Sequence, residues 1–499
     1  MEKIIYSVTD IKDWIEIAYS LKEQLDWIPV YWLSPINLKS EVKKKFSDVI
    51  FHNCINSYKG IRSNDVNFEI DTILDKELLN KYSKYESIVL KMMDRMDTGF
   101  GSFLFNERMK LYFKLLSYWE TIIKKLKPDL AIFSTSPHII SDYILYIVCK
   151  ENNIRTLIFT PTIENNIFLR EDIDLLPEHI INNYKENLKR NNQTKLSGDL
   201  RDYLNKIKKD YGSAEPWYMS SQREKEKIKI VSIIKKILKV LINPRKLFED
   251  DPKNYIKLKN KQVEKFHMSK IQAFFYSNIS NLYKKHLKKI YDSKSTKVEF
   301  KNKYIFFPLH YQPERTTSPE GNIFVYQWLV INMISKLLPK DWNIYVKEHP
   351  SQFKKALKGQ QGRASYFYDQ VLEFDNVKLV DLDIDTFDLI DNSEAVVTIT
   401  GTAGFESLVR GKPVILYGNS WYSGCKGVFK VTTKNQCINA INKIKSKVNI
   451  NNSDIDKYID TIMSYSFKGY LDNVNKKRTQ ISSRKNIDNI INNLIEYMF

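Results

Sequence analysis

The stretch Val396-Val-Thr-Ile-Thr-Gly-Thr-Ala-Gly-Phe-Glu406 decides the fold class of this 499-residue chain. Its apolar and β-branched start predicts a buried strand, its small residues at 400–404 predict a tight turn, and the apolar spacing after them predicts a helix. A strand that passes directly into a helix is the repeating unit of a parallel α/β sheet. We therefore expect an α/β protein whose polar turns follow its strands.

The same alternation extends in both directions from this stretch. It predicts an N-terminal α/β domain at 1–185 and a C-terminal α/β domain at 301–450. A charged, Asn- and Lys-rich segment at 186–300 predicts a basic helical insertion between them, and 451–499 predicts C-terminal helices. Two α/β domains followed by terminal helices are the outline of a GT-B-like fold, with two Rossmann-like domains.

Positive charge is concentrated in the insertion. The chain carries a formal net charge of +19, and residues 221–300 hold 21 Lys and Arg against 8 Asp and Glu. Within that segment, 223–246 has nine basic and two acidic residues, with apolar residues at helical spacing. Two interpretations stay open: a helix packed on a domain with Lys facing water, or a basic amphipathic helix on an anionic membrane. Without an RNP-like, KH-like or zinc-finger sequence, we expect no nucleic-acid partner.

Composition also indicates the compartment. The four cysteines form no CxxC pair, which argues against a zinc ribbon or a disulfide framework and suits a reducing cytoplasm. With no basic stretch followed by an apolar one at the start, we expect no signal peptide, and with no stretch of about 18 apolar residues we expect no membrane span. The sequence predicts a cytoplasmic protein, with peripheral contact at the inner face of the cytoplasmic membrane if 223–246 binds lipid.

The turn at 400–404 is the first candidate site. Small residues let a phosphate approach the backbone, and the free N–H groups of a helix N-terminus favour an anion. Thr400 and Thr402 add hydroxyl donors, Gly401, Ala403 and Gly404 leave room, and Glu406 could accept from ribose hydroxyls. A plain strand–helix turn, with Glu406 as a favourable early-helix charge, fits equally well. The GxxxxGK[ST] phosphate motif is absent.

Two further polar loops follow strands of the same domain. Ile344-Tyr-Val-Lys347-Glu348-His349-Pro350 ends a strand in three ionisable groups, and His349 could donate to a departing phosphate while Lys347 balances its charge. Phe306-Phe-Pro-Leu-His310-Tyr-Gln312-Pro-Glu314-Arg315 presents a candidate carboxylate, Glu314, for acid–base or nucleophilic work. Exposed loop charges, or an ion pair between Glu314 and Arg315, are the alternatives.

The carboxyl ends of parallel strands lie at one edge of the sheet, so these three loops predict one cleft. Phosphate donors, cations and one or two carboxylates in a cleft fit a nucleotide-sugar site. We expect neither a metal nor a cofactor: Asp381-Leu-Asp383-Ile-Asp385 resembles a DxD metal motif, but is interpreted as a loop and helix cap before Phe387.

The residues of these loops resemble a known family. Lys-Glu-His-Pro at 347–350 and Thr-Gly-Thr-Ala-Gly-Phe-Glu at 400–406, followed by Gly411-Lys-Pro-Val-Ile-Leu-Tyr-Gly418, look like the capsule polysaccharide biosynthesis family, which includes bacterial Kdo transferases. The resemblance covers about 300–430. It implies a GT-B-like glycosyltransferase with a nucleotide-sugar donor, such as a CMP-activated 2-keto sugar acid. It implies that His349 engages the donor phosphate and that Thr400 and Thr402 form the hydroxyl-rich turn of the site. From the loops themselves we expect His310, Gln312, Arg315, Lys347, Glu348 and the 400–406 turn to bind the donor. The paired-serine turn of the related polysialyltransferases is absent.

The first domain should then hold the acceptor, a glycan or a lipid-linked glycan. Glu164, after a strand, is a possible base, and His138 and Asp10 are weaker candidates; structural roles are the alternative for each. Two rival functions stay open: a CDP-polyol phosphotransferase of the teichoic-acid type, and a non-catalytic nucleotide-binding or scaffold protein.

Overall fold

Two β-sheets, one in each half of the chain, organise the molecule. The computed structural model describes residues 1–97, 103–190, 194–214, 270–355 and 357–499. The strands of the first sheet are β1 (Glu2–Ser7), β2 (Trp27–Ser34), β3 (Ile50–Asn53), β4 (Leu130–Phe133), β5 (Arg155–Pro161), β6 (Asn166–Arg170) and β13 (Ser466–Lys468). Those of the second are β7 (Lys303–Pro308), β8 (Trp342–Lys347), β9 (Val377–Leu379), β10 (Ala395–Thr398), β11 (Val414–Leu416) and β12 (Val428–Lys430).

Helices alternate with these strands, as the sequence predicts. The α-helices are Asp13–Leu25, Lys39–Lys45, Cys54–Tyr58, Lys76–Met92, Phe105–Leu126, Ile140–Glu151, Glu178–Lys189, Gly198–Lys209, Tyr211–Ala214, Lys270–Lys294, Thr317–Glu320, Gln327–Ser335, Phe367–Val371, Thr386–Asp391, Thr402–Val409, Lys434–Lys445, Asn452–Ser464, Asn473–Lys476 and Ser483–Met498. Short 3₁₀ turns lie at Ile36–Leu38, Met93–Arg95, Ile163–Asn165, Asn322–Val325, Pro350–Phe353 and Gly359–Gln361. Within the described ranges, no helix is long and apolar enough to cross a bilayer.

The first sheet has the order β13-β6-β5-β4-β1-β2-β3. Strands β1 to β5 pair in parallel, while β6 runs antiparallel to β5 and to β13. The five parallel strands follow the Rossmann order, with β1 at the centre. β2 and β3 lie on one side of β1, and the chain then crosses over to add β4 and β5 on the other side. Sequence periodicity did not identify β6 or β13, each of which is short.

The second sheet is entirely parallel, in the order β12-β11-β10-β7-β8-β9. Its first strand, β7, lies between β8 and β10, so the loops after these three strands emerge side by side at one edge. Helices cover both faces, and the strand interiors are buried throughout β10 and β11. Tyr304 and Tyr345 stack on one face at 4.2 Å between ring centroids.

The C-terminal segment returns to the first domain. After helix Asn452–Ser464, β13 joins the outer edge of the first sheet, and helix Ser483–Met498 packs against helix Asp13–Leu25. Buried Asp13 fixes this return by accepting hydrogen bonds from Tyr470 (2.7 Å) and Ser483 (2.6 Å). The prediction of helices alone at 451–499 therefore omits a strand that completes the first sheet.

Two Rossmann-like α/β domains and a C-terminal crossover form the GT-B-like fold that the sequence predicts, which is confirmed. Parts of the predicted insertion pack on the second domain: helix Gly198–Lys209 contacts helix Thr402–Val409, and helix Lys270–Lys294 contacts the 350–361 segment. The basic stretch 223–246 lies outside the described residues.

Candidate active site

A cleft of about 1000 Å³ runs along the carboxyl edge of the second sheet. Its lining comes from the loops after β7, β8, β9 and β10, together with Arg95 of the first domain and Tyr211 of the insertion. The predicted site residues that line it are His310, Glu314, Arg315, Lys347, Glu348, His349, Thr400, Gly401, Thr402, Ala403 and Glu406. Gln312, Gly404 and Glu164 do not line it.

His310 holds two of the three loops together. Its Nε2 accepts from the backbone N–H of Ile399 and lies near the Thr398 hydroxyl, each at 3.1 Å. Burial lowers the pKa of His310 to about 3, so the ring is neutral and carries its proton on Nδ1. That nitrogen lies 3.9 Å from Glu314 Oε1. His310 is therefore oriented by the protein, with its proton on the side of Glu314.

Glu314 is a partly buried carboxyl beside this ring. Its Oε1 accepts from the backbone N–H of Thr317 at 2.9 Å. Burial raises the pKa of Glu314, and the Thr317 N–H and the Arg95 guanidinium oppose that rise. The side chain keeps 23% of its surface exposed, on the cleft. A desolvated carboxyl that still reaches the cleft suits acid–base or nucleophilic chemistry.

Glu348 has a different role from the one predicted. Its carboxylate is fully buried and receives Arg363 Nε at 2.8 Å, Arg363 Nη2 at 3.2 Å and the Tyr368 hydroxyl at 2.9 Å. The backbone N–H of His349 adds a fourth bond at 2.8 Å. With its oxygens occupied, Glu348 anchors the loop instead of contacting a donor.

Lys347 is likewise engaged within the protein. Its ammonium donates to the Ile384 carbonyl and to the Thr386 hydroxyl, the latter at 3.3 Å. Burial lowers the pKa of Lys347 to about 8, and Asp385 and Asp383 oppose that shift. Lys347 therefore brings positive charge to the cleft wall, from a fixed position.

His349 presents a donor to the cleft. Its Nδ1 accepts from the backbone N–H of Ser351 at 3.1 Å, which places the ring proton on Nε2. Burial, followed by the cations Lys354, Arg363 and Lys347, lowers the pKa of His349 to about 4. The ring is thus a neutral N–H donor at neutral pH, as the contact predicted for a donor phosphate requires.

The third loop supplies a helix N-terminus. Gly401 precedes helix Thr402–Val409, and its N–H donates to the Thr398 hydroxyl at 3.1 Å. Thr400 is buried against the cleft, and its hydroxyl has no hydrogen-bond partner among the described residues. An unpartnered buried hydroxyl beside free helix N–H groups is a site for an anion's oxygens.

Gly404 serves packing. A Cβ at this position would lie 2.4 Å from the Tyr422 hydroxyl oxygen, which itself donates to the Gly401 carbonyl. The helix start is therefore held against Tyr422, and only glycine permits the approach. The small residues of this turn do mark a close approach to the backbone, and at Gly404 the group that approaches is the Tyr422 side chain.

Glu406 lies at the base of the cleft, almost wholly buried. Burial raises its pKa to about 7, while a hydrogen bond from Thr402 and the charge of Arg410 oppose the rise. A carboxyl that is partly protonated at neutral pH can both accept and donate, so it can bind a ribose or sugar hydroxyl.

The remaining predicted residues divide between support and cleft. Gln312 is buried and donates to the Thr317 hydroxyl at 2.7 Å, so it shapes the Glu314 loop. Arg315 lines the cleft and lies 3.2 Å from Nε2 of His138, which belongs to the first domain. Glu164 is exposed, outside the cleft lining, and has a positive φ of 52°. Asp10 accepts from Asn473 at 2.8 Å and does not line the cleft.

Sequence reasoning missed Arg95, Lys354 and Lys358, all of which line the cleft. Arg95 follows a long helix instead of a strand, and the two lysines lie in an irregular segment after the His-Pro loop. Strand-end reasoning has no means of selecting them. Their positions depend on how the two domains meet.

The acidic run at 381–385 caps a helix, as predicted. Asp385 accepts from the backbone N–H of Phe387 at 2.6 Å, and Asp381 accepts from Ser295 at 2.7 Å. Among the residues that the structure describes, no group of three or more His, Cys, Asp and Glu side chains could hold a metal ion.

Comparison with known proteins agrees with the motifs. Residues 272–467 match the family model described as "Capsule polysaccharide biosynthesis protein". A curated relative, the capsule polysaccharide modification protein LipA of Neisseria meningitidis serogroup A, is 32% identical over 82 residues, which are 16% of this chain and 11% of LipA. The chain thus matches only about a tenth of the length of this curated relative.

Solved structures resemble the chain at low identity. The β-Kdo 2,7 transferase KpsC of Thermosulfurimonas dismutans is 16% identical, covering 45% of this chain and 67% of its own, with a TM-score of 0.23. The UDP-GlcNAc 2-epimerase of Methanocaldococcus jannaschii is 13% identical, covering 93% and 99%, with a TM-score of 0.23. The family match includes all three of the cleft loops that the sequence predicts, those after β7, β8 and β10. Residues 272–467 of the chain thus resemble the capsule polysaccharide biosynthesis family, in the region where the sequence motifs predict that resemblance.

Proposed function

We propose that this protein is a glycosyltransferase of capsule polysaccharide biosynthesis that uses a nucleotide-activated sugar, with a CMP-activated 2-keto sugar acid as the preferred donor. One observation carries the proposal: three groups that can bind a phosphate line the same cleft as a desolvated carboxyl, Glu314. They are the neutral N–H donor of His349, the helix N-terminus after Gly401, and the Thr400 hydroxyl, which has no partner within the described part of the chain. The match to the capsule family supports the same class.

Transfer requires that the bond between the anomeric carbon and the donor phosphate oxygen breaks, with the electron pair leaving on phosphate. His349 Nε2–H and the backbone N–H groups of Thr402 and Ala403, which line the cleft at the start of the helix, would stabilise that charge. A single phosphate monoester leaves from a CMP-sugar, so few cations are needed, and Lys347, Lys354 and Lys358 lie along the wall.

Glu314 is the carboxyl proposed to act at the anomeric carbon. As a carboxylate it would stabilise developing positive charge there or form a covalent intermediate, with His310 directing an N–H toward it. Glu406 would hold a ribose or sugar hydroxyl. Glu164, which lies outside the cleft lining, is not assigned a part.

Turnover of defined donors tests the proposal. The purified protein is incubated with CMP-Kdo, a CMP-nonulosonate, UDP-sugars and CDP-glycerol, and released nucleotide and transferred sugar are measured by mass spectrometry. We expect CMP release with a CMP-activated 2-keto sugar acid. Turnover of CDP-glycerol instead would identify a polyol phosphotransferase, and no turnover or nucleotide binding with any donor would favour a scaffold role.

The acceptor and the location are further predictions. A glycan or lipid-linked glycan is the expected acceptor, which would be met at the inner face of the cytoplasmic membrane. Contact of 223–246 with anionic lipid would bring the enzyme there. Sedimentation with vesicles containing anionic phospholipid, compared with neutral vesicles, measures this contact directly.

A further inference from the structure

One side chain of the first domain reaches the loop that carries Glu314. Arg95, at the end of the 3₁₀ turn Met93–Arg95, donates from Nη1 to the Glu314 carbonyl at 2.5 Å and to the Ser318 carbonyl at 3.1 Å. Its Nη2 donates to the carbonyl of His138, in the loop after β4. A single guanidinium thus joins loops from the two domains.

Other contacts reinforce the same junction. Lys358 of the second domain donates to the Arg95 carbonyl at 3.2 Å, and Gln361 donates to the Asp97 carbonyl. Arg315 lies 3.2 Å from His138 Nε2. Burial and the charges of Arg315 and Arg95 lower the pKa of His138 to about 3, so this histidine is a neutral acceptor for Arg315. Glu314, through its carbonyl, and Arg315, through its side chain, are therefore both in contact with the first domain.

The chemistry at Arg95 demands an arginine. One planar group binds three carbonyls, two in the 314–318 segment and one at His138. A guanidinium can do this because it offers five N–H donors in a fixed fork. A lysine ammonium at the same place has three donors around one atom and could not span this arrangement. Burial of the cation lowers the pKa of Arg95, a desolvation that nearby Glu314 helps to offset.

We propose that Arg95 is a positioning residue: acting from the first domain, it holds the backbone of the 314–318 segment so that the Glu314 carboxyl faces the donor. This inference rests on the proposed transferase function. It follows that nucleotide binding and the positioning of the reacting carboxyl depend on different parts of the molecule. The nucleotide binds to loops of the second domain alone, whereas the reacting carboxyl is in place only when both domains meet at Arg95.

Three variants test the inference: Arg95→Ala, Arg95→Lys and, as a control on the same helical segment, Lys91→Ala. Lys91 pairs with Asp94 at 2.6 Å and lies over the Tyr326 ring. We expect kcat to fall by about 10²-fold in Arg95→Ala, since small displacements of a reacting group cost this much, and by less in Arg95→Lys. The dissociation constant for CMP should stay within about twofold of the unchanged protein.

Hydrogen exchange provides a readout that does not depend on turnover. In Arg95→Ala, amides of the 314–318 segment should exchange faster, while those at 401–406 keep their rates. Unchanged exchange at 314–318, unchanged kcat, or a loss of CMP affinity as large as the loss of kcat would each overturn the inference. If Arg95→Ala is unfolded, as judged by its melting temperature, Arg95→Lys decides by the same criteria. Absence of turnover in the unchanged protein would defeat the proposed function, while exchange would still show whether Arg95 holds the loop.

Discussion

At the scale of single residues, the two histidines of the cleft use different ring nitrogens in their hydrogen bonds to the backbone. His310 uses Nε2 on the Ile399 N–H and is held among loops, whereas His349 uses Nδ1 on the Ser351 N–H and offers Nε2 to the cleft. Both rings are neutral because burial lowers their pKa values. The sequence identified both residues, but not which nitrogen would be available.

His349→Ala should abolish most transfer with little change in stability. Removing one preorganised donor from a developing charge costs about 10²–10³ in kcat, whereas the lost Ser351 contact costs about 1 kcal/mol of unfolding free energy. Initial rates and urea denaturation measure the two effects. His286→Ala, an exposed position on helix Lys270–Lys294, is the matched control and should change neither. Full activity in His349→Ala would contradict the role given to its Nε2.

Glu348→Ala should instead destabilise the protein. It leaves Arg363 as a buried cation without its carboxylate, and breaking such a pair costs about 3–5 kcal/mol. The free energy of unfolding from urea titration measures this change. Asp341→Asn is the control: Asp341 is exposed and pairs loosely with Lys303, so we expect a change within about 0.5 kcal/mol. A stable Glu348→Ala protein that had lost only donor affinity would restore the original prediction for this residue.

At the scale of elements, strand-to-helix turns explain why so much of the cleft could be predicted. The loops after β7, β8 and β10 meet because these strands are neighbours in a parallel sheet, and a buried strand followed by polar residues is visible in sequence. Side-chain direction is not. Gln312, Glu348 and Gly404 lie in the right loops, yet each is used to build its loop, since partners such as Arg363 and Tyr422 come from distant segments.

Gly404→Ala tests how the start of helix Thr402–Val409 is held. The added methyl would meet the Tyr422 hydroxyl, so we expect a loss of about 1–3 kcal/mol in unfolding free energy together with weaker nucleotide binding. Gly198→Ala is the control, because no atom of the described residues lies within 4 Å of a Cβ there. It should leave stability unchanged or slightly higher. Urea titration and isothermal titration with CMP measure both variants, and equal behaviour of the two would contradict this account.

At the scale of the whole molecule, five of the histidines that the structure describes share one electrostatic property, a pKa lowered by burial, which holds for His179 as well as for the four below. Burial lowers the pKa of His52 and His349 to about 4 and of His138 and His310 to about 3, against an ordinary value of 6.5. At these histidines the unfolded chain binds more protons than the folded protein between these values and pH 6.5, so their contribution to stability rises with pH in that window. Glu406 and Asp142 act in the opposite sense, because burial raises their pKa values to about 7 and to about 8 and the folded protein holds their protons. The four histidines with large shifts outnumber these two carboxyls. The protein should therefore lose stability as pH falls from 6.5 toward 4.

The urea midpoint measured from pH 7.5 to pH 4.5 checks this expectation. We expect a decline that begins near pH 6.5 and steepens below it. His349→Asn removes one titrating group whose pKa burial lowers, and should make the decline shallower. A midpoint that stays constant to pH 5 would show that these rings are protonated in the folded protein at ordinary pKa values.

The joining of the domains was least accessible to sequence analysis. Alternating periodicity predicted two α/β units, because each unit is built largely from contacts among neighbouring segments. Arg95, β6 and β13 depend on contacts between segments far apart in the chain, for which no local pattern exists. The edge of the first sheet and its junction with the second domain therefore depend on residues for which sequence periodicity predicts only helix or loop.

The position of β13 has a consequence for biogenesis. Residues 466–498, which fill the edge of the first sheet and cover helix Asp13–Leu25, are translated only after the whole second domain. While the ribosome makes those intervening residues, β6 presents an unpaired strand edge and the adjoining core stays uncovered, which is the state most prone to wrong pairing. The first domain to emerge is thus the last to be finished, and its nascent form is where chaperone binding should concentrate.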